Sequence, residues 1–411
     1  SVISGQEKIP HDIQKLPRIN EADSLALCRL PELPVPPLYQ GPGAPQLPVV
    51  VDNTELIYWR PVFNQVGYEC GQASGVGHNY TYQINRLRNL PSDIPDNQYP
   101  THFCWNFGNG GDGYYGVSYF HSFEIIRMNG TPNVTDYGGT MSYGGPKRWM
   151  SGYNEYYNGM HNRISEAYQI DVSAAEGVMT LKHWIHDHLN GSDAGGVASF
   201  YAACPYGMPT LPPGTPEAGK YVMTDWGGYA NHAMCIGAYH DSIRWDYNND
   251  GQYTNHIDIN GDNKVDVRDW EIGGLKFSNN YGGGPSWGNE GFCYMMYKTL
   301  AEIYGSGGIW NNAVHVLYAK ENTKPLLTAK ITLKHVCRKM IRIRIGMSQD
   351  SSATYPDFTL ILPIFNFQGG CYYMQGGDTE EDKTIEFGLD LSFLLNYAGT
   401  GNEVKYFLLV D

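Results

Sequence analysis

Asn64-Gln65-Val66-Gly67-Tyr68-Glu69-Cys70-Gly71-Gln72-Ala73-Ser74-Gly75-Val76, residues 64–76, joins a glycine turn to a cysteine and then to a run of small residues. From there Ala73, Val76, Tyr80, Ile84 and Leu87 recur every three or four positions, which is one apolar stripe of a helix. The pattern predicts a helix with Cys70 at or just before its N-terminus. That end of a helix favours negative charge, so a thiol there is drawn toward the thiolate, the form that attacks acyl carbon. Five residues upstream, Gln65 offers an amide that a loop could aim, beside the Cys70 N–H, at a developing oxyanion. Taken alone, the segment reads equally well as a small buried cysteine ahead of an ordinary helix.

Two later segments supply the other groups such chemistry needs. Tyr229-Ala230-Asn231-His232-Ala233-Met234-Cys235-Ile236-Gly237-Ala238-Tyr239 is a small-residue strand pattern with one histidine near its start. Leu275-Lys276-Phe277-Ser278-Asn279-Asn280-Tyr281-Gly282 ends a strand-like run in carboxamides, and Trp287-Gly288-Asn289-Glu290-Gly291-Phe292 follows soon after. A histidine so placed also fits as a satisfied core residue. Chain order narrows the choice, because the same three-group geometry arises on other folds in other orders.

In the order Cys, His, Asn, these strings resemble the papain-like cysteine peptidases, in particular a bacterial secreted branch. That family has Asn-Gln, a glycine turn and the cysteine, then a His-Ala strand, then Asn-Ser-Trp-Gly and Gly-Trp-Gly-Glu-Asn-Gly blocks. The resemblance implies Cys70 as nucleophile, His232 as acid and base, Asn279 as orienter of the imidazole (with Asn280 the neighbouring alternative) and Gln65 as oxyanion donor. It also implies substrate-side residues. Asn109, Gly110 and Gly111, ahead of a helical segment from Tyr119 to Met128, would pair with substrate backbone. Tyr281 would replace the tryptophan that shields the Asn–His bond, and Trp287 belongs to the second block. Two departures stand out: Gly71 takes the place of a tryptophan, and Gly67 that of a cysteine, which leaves Cys104 without its expected partner. The implied fold is α+β and two-lobed, a helical lobe with Cys70 against a β-barrel-like lobe with His232 and Asn279. The implied reaction is endo- or exopeptidase hydrolysis of peptides or proteins through an acyl-enzyme. A transamidase using the same trio, and a catalytically decayed binding or adhesion protein, are the alternatives.

Between His232 and Asn279 lies an acidic insertion, residues 246–269. Asp258, Asn260, Asp262, Asp266 and Asp269 fall at positions 1, 3, 5, 9 and 12 of a twelve-residue loop, with the Lys264 carbonyl at position 7. Hard Ca²⁺ takes six to eight oxygens at this kind of spacing. The loop resembles dockerin-type calcium loops, with Asn263 where glycine is usual. Asp246, Asn248 and Asp250 repeat the first half. One or two structural calcium ions are expected, and none for catalysis; solvated acidic turns are the simpler reading.

Residues 1–55 are proline-rich, as a strap or a propeptide remnant. Residues 56–321 hold every chemical motif. Residues 326–411, with alternating segments such as Ile341 to Ile345, predict an all-β sandwich. It is a candidate for docking to a surface or for bracing the fold. A net charge of −14 argues against nucleic-acid binding, which needs a basic face. The cleanest apolar stretch, Phe358 to Phe365, contains a proline and is far too short to cross a bilayer. The expected location is secreted or cell-surface, with a signal peptide already removed. Eight cysteines without a CxxC pair exclude a zinc ribbon. His183, His186 and His188 share a predicted helix that opens with a capping box at Ser173–Glu176, and they read as a helix face rather than as zinc ligands.

Overall fold

Burial and polar side-chain anchoring together decide how the helices meet the sheet. The computed structural model describes residues 30–139, 145–399 and 403–411. Residues 1–29 of the proline-rich segment, with Cys28, lie outside them. The remainder of that segment is largely extended, as its prolines require. It is fastened by Leu33 N–H donating to Gln169 O at 2.8 Å and the Tyr39 hydroxyl donating to Asp187 at 2.7 Å. It ends in β1 (Val50–Asp52), antiparallel to the long strand His232–Arg244.

The helix after Cys70 covers residues 70–88: an α-turn at Cys70–Gln72, a π-helical stretch at Ala73–Tyr80, and α-helix at Thr81–Arg88. The π spacing is reinforced at Thr81, whose N–H and hydroxyl both donate to Val76 O five residues back. Ala73, Val76, Tyr80 and Ile84 are buried as predicted, while Leu87 is 37% exposed where the helix emerges. Polar residues key this helix into the sheet. The Ser74 hydroxyl donates to Met234 O at 2.7 Å, and the Asn79 amide donates to Ser199 Oγ and His315 O, each at 3.1 Å. Lateral sliding would leave those buried groups unpaired, at about 1–3 kcal/mol each.

The large sheet adds β2 (Arg163–Asp171), β3 (Ala198–Ala202), β4 (Val222–Met223), β5 (His232–Arg244), β6 (Ile272–Ser278), β7 (Phe292–Met296) and β8 (Ala313–Lys320). Its order is β2-β8-β3-β5-β6-β7-β4, with β1 joined to β5; among the described residues β4 and β7 are the only paired strands of this sheet that run parallel. The apolar run 196–203 forms β3, buried on both faces. Its alternation explains why: Tyr201 stacks on Tyr119 at 4.3 Å in the core around the first helix, and Phe200 meets Phe277 in the core beneath the sheet. The second core is closed by the helix Ala175–Asp187 through Val178, Leu181, Trp184 and Ile185. Burying each such side chain contributes roughly 1.5–3 kcal/mol. The predicted capping box does not form. The Ser173 N–H is taken by Asp171 Oδ1 at 2.8 Å, and the helix starts from Ala174 with no side-chain cap.

Beyond Lys320 come β9 (Thr328–Lys334), β10 (Arg342–Ser348), β11 (Phe358–Asn366), β12 (Thr384–Asp390) and β13 (Lys405–Val410). They form a three-stranded sheet, β11-β10-β13, and a two-stranded one, β12-β9. Ile343, Ile345 and Met347 of the first, and Ile385, Phe387 and Leu389 of the second, share one core. That core continues into the helices: Phe365 meets Phe107 and Trp149 at 5.5 and 5.4 Å. Arg163 pairs with Asp390 at 2.6 Å, both almost fully buried. The class is α+β, with a C-terminal β-sandwich built into the helical half.

Candidate active site

Position along the chain places the three central residues at element ends. Cys70 opens its helix, His232 opens β5, and Asn279 directly follows β6. The antiparallel register sets Cys235 opposite Ser278, which brings Asn279 alongside the start of β5. There His232 Nε2–H donates to Asn279 Oδ1 at 2.8 Å, with both residues buried. Asn279 is itself fixed: its amide donates to Tyr281 O at 2.9 Å, and its Oδ1 also accepts from Tyr281 N–H at 3.0 Å. Asn280, the alternative orienter, donates instead to Phe63 O at 2.8 Å. The Tyr281 ring lies 5.9 Å from the imidazole, as a partial cover over the bond.

Cys70 is a free, buried thiol close to the backbone N–H groups of Ala233, next to His232, and of Gly71. The expectation of a lowered thiol pKa is corrected here. Burial dominates and pushes Cys70 up to about 11, against the opposing pull of those two N–H groups. Burial likewise lowers His232 to about 4, partly offset by the Asn279 bond. Both shifts favour the neutral thiol and the neutral imidazole. Gly71 has a steric reason: a Cβ there would sit 2.3 Å from Val117 O, so a tryptophan has no room.

Gln65 stands in the loop before the helix, but its amide donates to Gly67 O at 2.9 Å, and its Oε1 is buried without a partner. That loop is tied to the orienter side by Gln65 N–H donating to Asn280 O at 2.8 Å. Asn109, Gly110 and Gly111, expected to pair with substrate backbone, form a tight turn rather than an extended strand. Gly110 and Gly111 have φ of 66° and 80°, a turn closed by Gly111 N–H donating to Asn109 Oδ1. A Cβ on Gly111 would meet the Tyr372 ring of the C-terminal sandwich at 2.2 Å. Trp287 is half-buried, 6.2 Å from Phe277 of β6.

The chain aligns with several solved cysteine proteases. Xylellain from Xylella fastidiosa aligns at 13% identity over 70% of this chain and 91% of its own, with a TM-score of 0.43. Digestive procathepsin L 3 of Tenebrio molitor larval midgut aligns at 12% over 71% and 75%, with a TM-score of 0.42. The ragweed pollen allergen Amb a 11 cysteine protease, in its proform, aligns at 13% over 73% and 74%, with a TM-score of 0.39. No family model and no curated protein matches the chain.

The acidic insertion folds into two ladders of backbone bonds. Asp246 accepts from Asp250 and Gly251 N–H, Asn248 from Asp250 N–H, and Asp250 from Gln252 N–H. In the second loop Asp258 accepts from Gly261 and Asn263, Asn260 from Asp262, and Asp262 from Lys264. Asp269 accepts from Ile259, Asn260 and Asp266 N–H. Sequence reasoning missed Glu271, which is fully buried and closes the first loop by accepting from Tyr247 and Thr254 N–H. Arg268 bridges Asp262 and Asp266 at 2.7 and 2.6 Å. Among the described residues no three His, Cys, Asp or Glu side chains converge as a metal site. The three helix histidines do not gather either; His188 pairs with Gln83. Cys337 and Cys371 form a disulfide, and Cys104 is free in the core.

Proposed function

We propose that this chain is a thiol peptidase of papain-like type, acting on peptide or protein substrates by way of an acyl-enzyme. One observation carries the reading: the buried His232–Asn279 hydrogen bond at the start of β5, with free Cys70 opening the neighbouring helix. As substrate carbonyl approaches, His232 takes the Cys70 proton and the sulfur attacks. The Cys70 N–H and the Gln65 amide, turned from Gly67 O, hold the oxyanion. His232 then protonates the leaving amine, and later activates the water that releases the acyl group. Gly110 is exposed, and the turn at 109–111 together with Tyr281 and Trp287 would frame the substrate. Hydrolysis of a fluorogenic peptide library by wild type, Cys70→Ala and His232→Ala tests this; turnover surviving Cys70→Ala contradicts it. A ligated product on adding an amine acceptor would indicate transamidation. The raised thiol and the engaged Gln65 amide favour a second reading, a binding protein on a decayed scaffold, for which wild type shows no turnover.

The two acidic loops are proposed as calcium sites. Asp246, Asn248 and Asp250 would hold one ion. Asp258, Asn260, Asp262, the Lys264 carbonyl, Asp266 and Asp269 would hold the other, once Arg268 swings away. The hard oxygen donor set fits Ca²⁺ and supplies stability, not chemistry. A chelator is expected to lower the unfolding temperature, with calcium restoring it; indifference to the chelator contradicts the sites. Among the described residues no helix is long and apolar enough to cross a membrane. The disulfide supports an extracytoplasmic location. The shared core favours bracing over surface docking as the role of the C-terminal sandwich.

A further inference from the structure

We propose that Glu69, together with His102, is a positioning residue that clamps the loop 65–67 and thereby sets the oxyanion donors against Cys70. The inference rests on the peptidase reading and adds a component that the trio does not include.

Glu69 directly precedes the nucleophile, yet its side chain is fully buried rather than solvated. Glu69 Oε1 accepts from Val66 N–H at 2.8 Å. His102 Nε2–H donates to Val66 O at 3.2 Å, so both backbone polar groups of Val66 are held by side chains. Glu69 Oε2 lies 3.4 Å from His102 Nε2, and the Thr101 side chain also hydrogen-bonds to the carboxyl. On the other side, Gln65 N–H is held by Asn280 O. The loop is thus gripped from the nucleophile helix, from the helix Thr101–Gly108 and from the residue next to the orienter.

A carboxyl at 0% exposure beside a histidine is costly to place in a core, and a solvated turn would hold the loop with less. Burial raises Glu69 to about 8, opposed by hydrogen bonds from Thr101 and from Val66 N–H and then by buried Arg60, and it lowers His102 to about 4. Both shifts favour the uncharged forms of the pair. What the loop needs from position 69 is then an oxygen acceptor of the right reach, which glutamine also provides.

Glu69→Ala and Glu69→Gln separate this role from a merely structural one. A peptide aldehyde reports the oxyanion site, because Cys70 adds to it and leaves a tetrahedral oxygen there; alkylation by iodoacetamide forms no such oxygen. Glu69→Ala is expected to weaken aldehyde inhibition and kcat by about tenfold or more, with KM and the alkylation rate within about twofold. Glu69→Gln is expected to restore all of them. Equal damage in both variants, or alkylation falling together with aldehyde affinity, overturns the proposal. Amide exchange at Val66 reads the clamp without activity: faster in Glu69→Ala, unchanged in Glu69→Gln. If wild type neither binds aldehyde nor reacts at Cys70, the peptidase reading fails while the exchange result still decides the clamp. Should Glu69→Ala not fold, His102→Gln, which frees only the Val66 carbonyl, is expected to show the same split in milder form; its absence overturns the proposal.

Discussion

Replacing Asn279 with alanine removes one acceptor from the imidazole and nothing else from the reacting atoms. The bond is 2.8 Å and buried, and it strengthens when His232 takes up the thiol proton. Hydrogen bonds to charged groups are worth about 1.5–3 kcal/mol. Since tenfold in rate corresponds to about 1.4 kcal/mol, kcat should fall roughly ten- to hundredfold, with KM little changed. Asn279 also pins Tyr281 through two backbone bonds, so a part of the loss comes from a ring freed to turn. Asn280→Ala is the control: it loses the bond to Phe63 O and the side-chain bond to buried His78, neither of them at the reacting atoms, and leaves the Asn280 carbonyl on Gln65 N–H, so kcat should fall less than threefold. The assay is steady-state turnover of a fluorogenic peptide, on protein shown to be folded by its unfolding temperature. A folded Asn279→Ala enzyme within twofold of wild type refutes the reasoning, as does a larger loss in Asn280→Ala.

Three other outcomes follow from the same structure. With Cys70 near 11 and His232 near 4, iodoacetamide alkylation of Cys70 should climb with pH through 9 and beyond; a flat rate between pH 5 and 8 would mean a resting ion pair instead. Burial lowers His78, His102, His121, His188, His232 and His315, so the unfolded chain takes up protons first as pH falls below about 6.5. Stability is therefore present above that value and lost as pH drops toward about 4; Glu69, held up, pulls the other way. Urea midpoints at pH 7, 6 and 5 check this, and a flat series contradicts it. Arg338 is fully buried, donates twice to Gly369 O at 2.9 and 2.7 Å, and lies 4.2 Å over Trp149. Arg338→Ala should cost about 3 kcal/mol of unfolding free energy by orphaning that carbonyl and opening a void; a loss below about 0.5 kcal/mol in denaturant titration contradicts it.

Element ends were the legible part of the site. Cys70, His232 and Asn279 each stand where a pattern changes period, and periodicity is what a sequence displays most plainly. The alternating segment Ile341 to Ile345 was equally readable, because one of its faces is committed to a core. What stayed hidden depends on distant contacts. The depth of Cys70 comes from chain segments around Val117 and Ala233, so its raised pKa had no local signature. Glu69 beside a glycine turn looks like a solvated residue until Val66 and His102 enclose it. Ser173 looks like a cap, yet Asp171 takes its amide first. Gly71 looks like a loss until Val117 O is seen to fill the space.

Treatment with a peptidyl epoxide, followed by mass mapping of the labelled cysteine, reads the nucleophile itself. The expected result is one adduct, on Cys70, formed by wild type and lost in His232→Ala. An adduct on the partly exposed Cys204 with Cys70 unmodified, or undiminished labelling without His232, contradicts the assignment of Cys70 and His232 as a reacting pair.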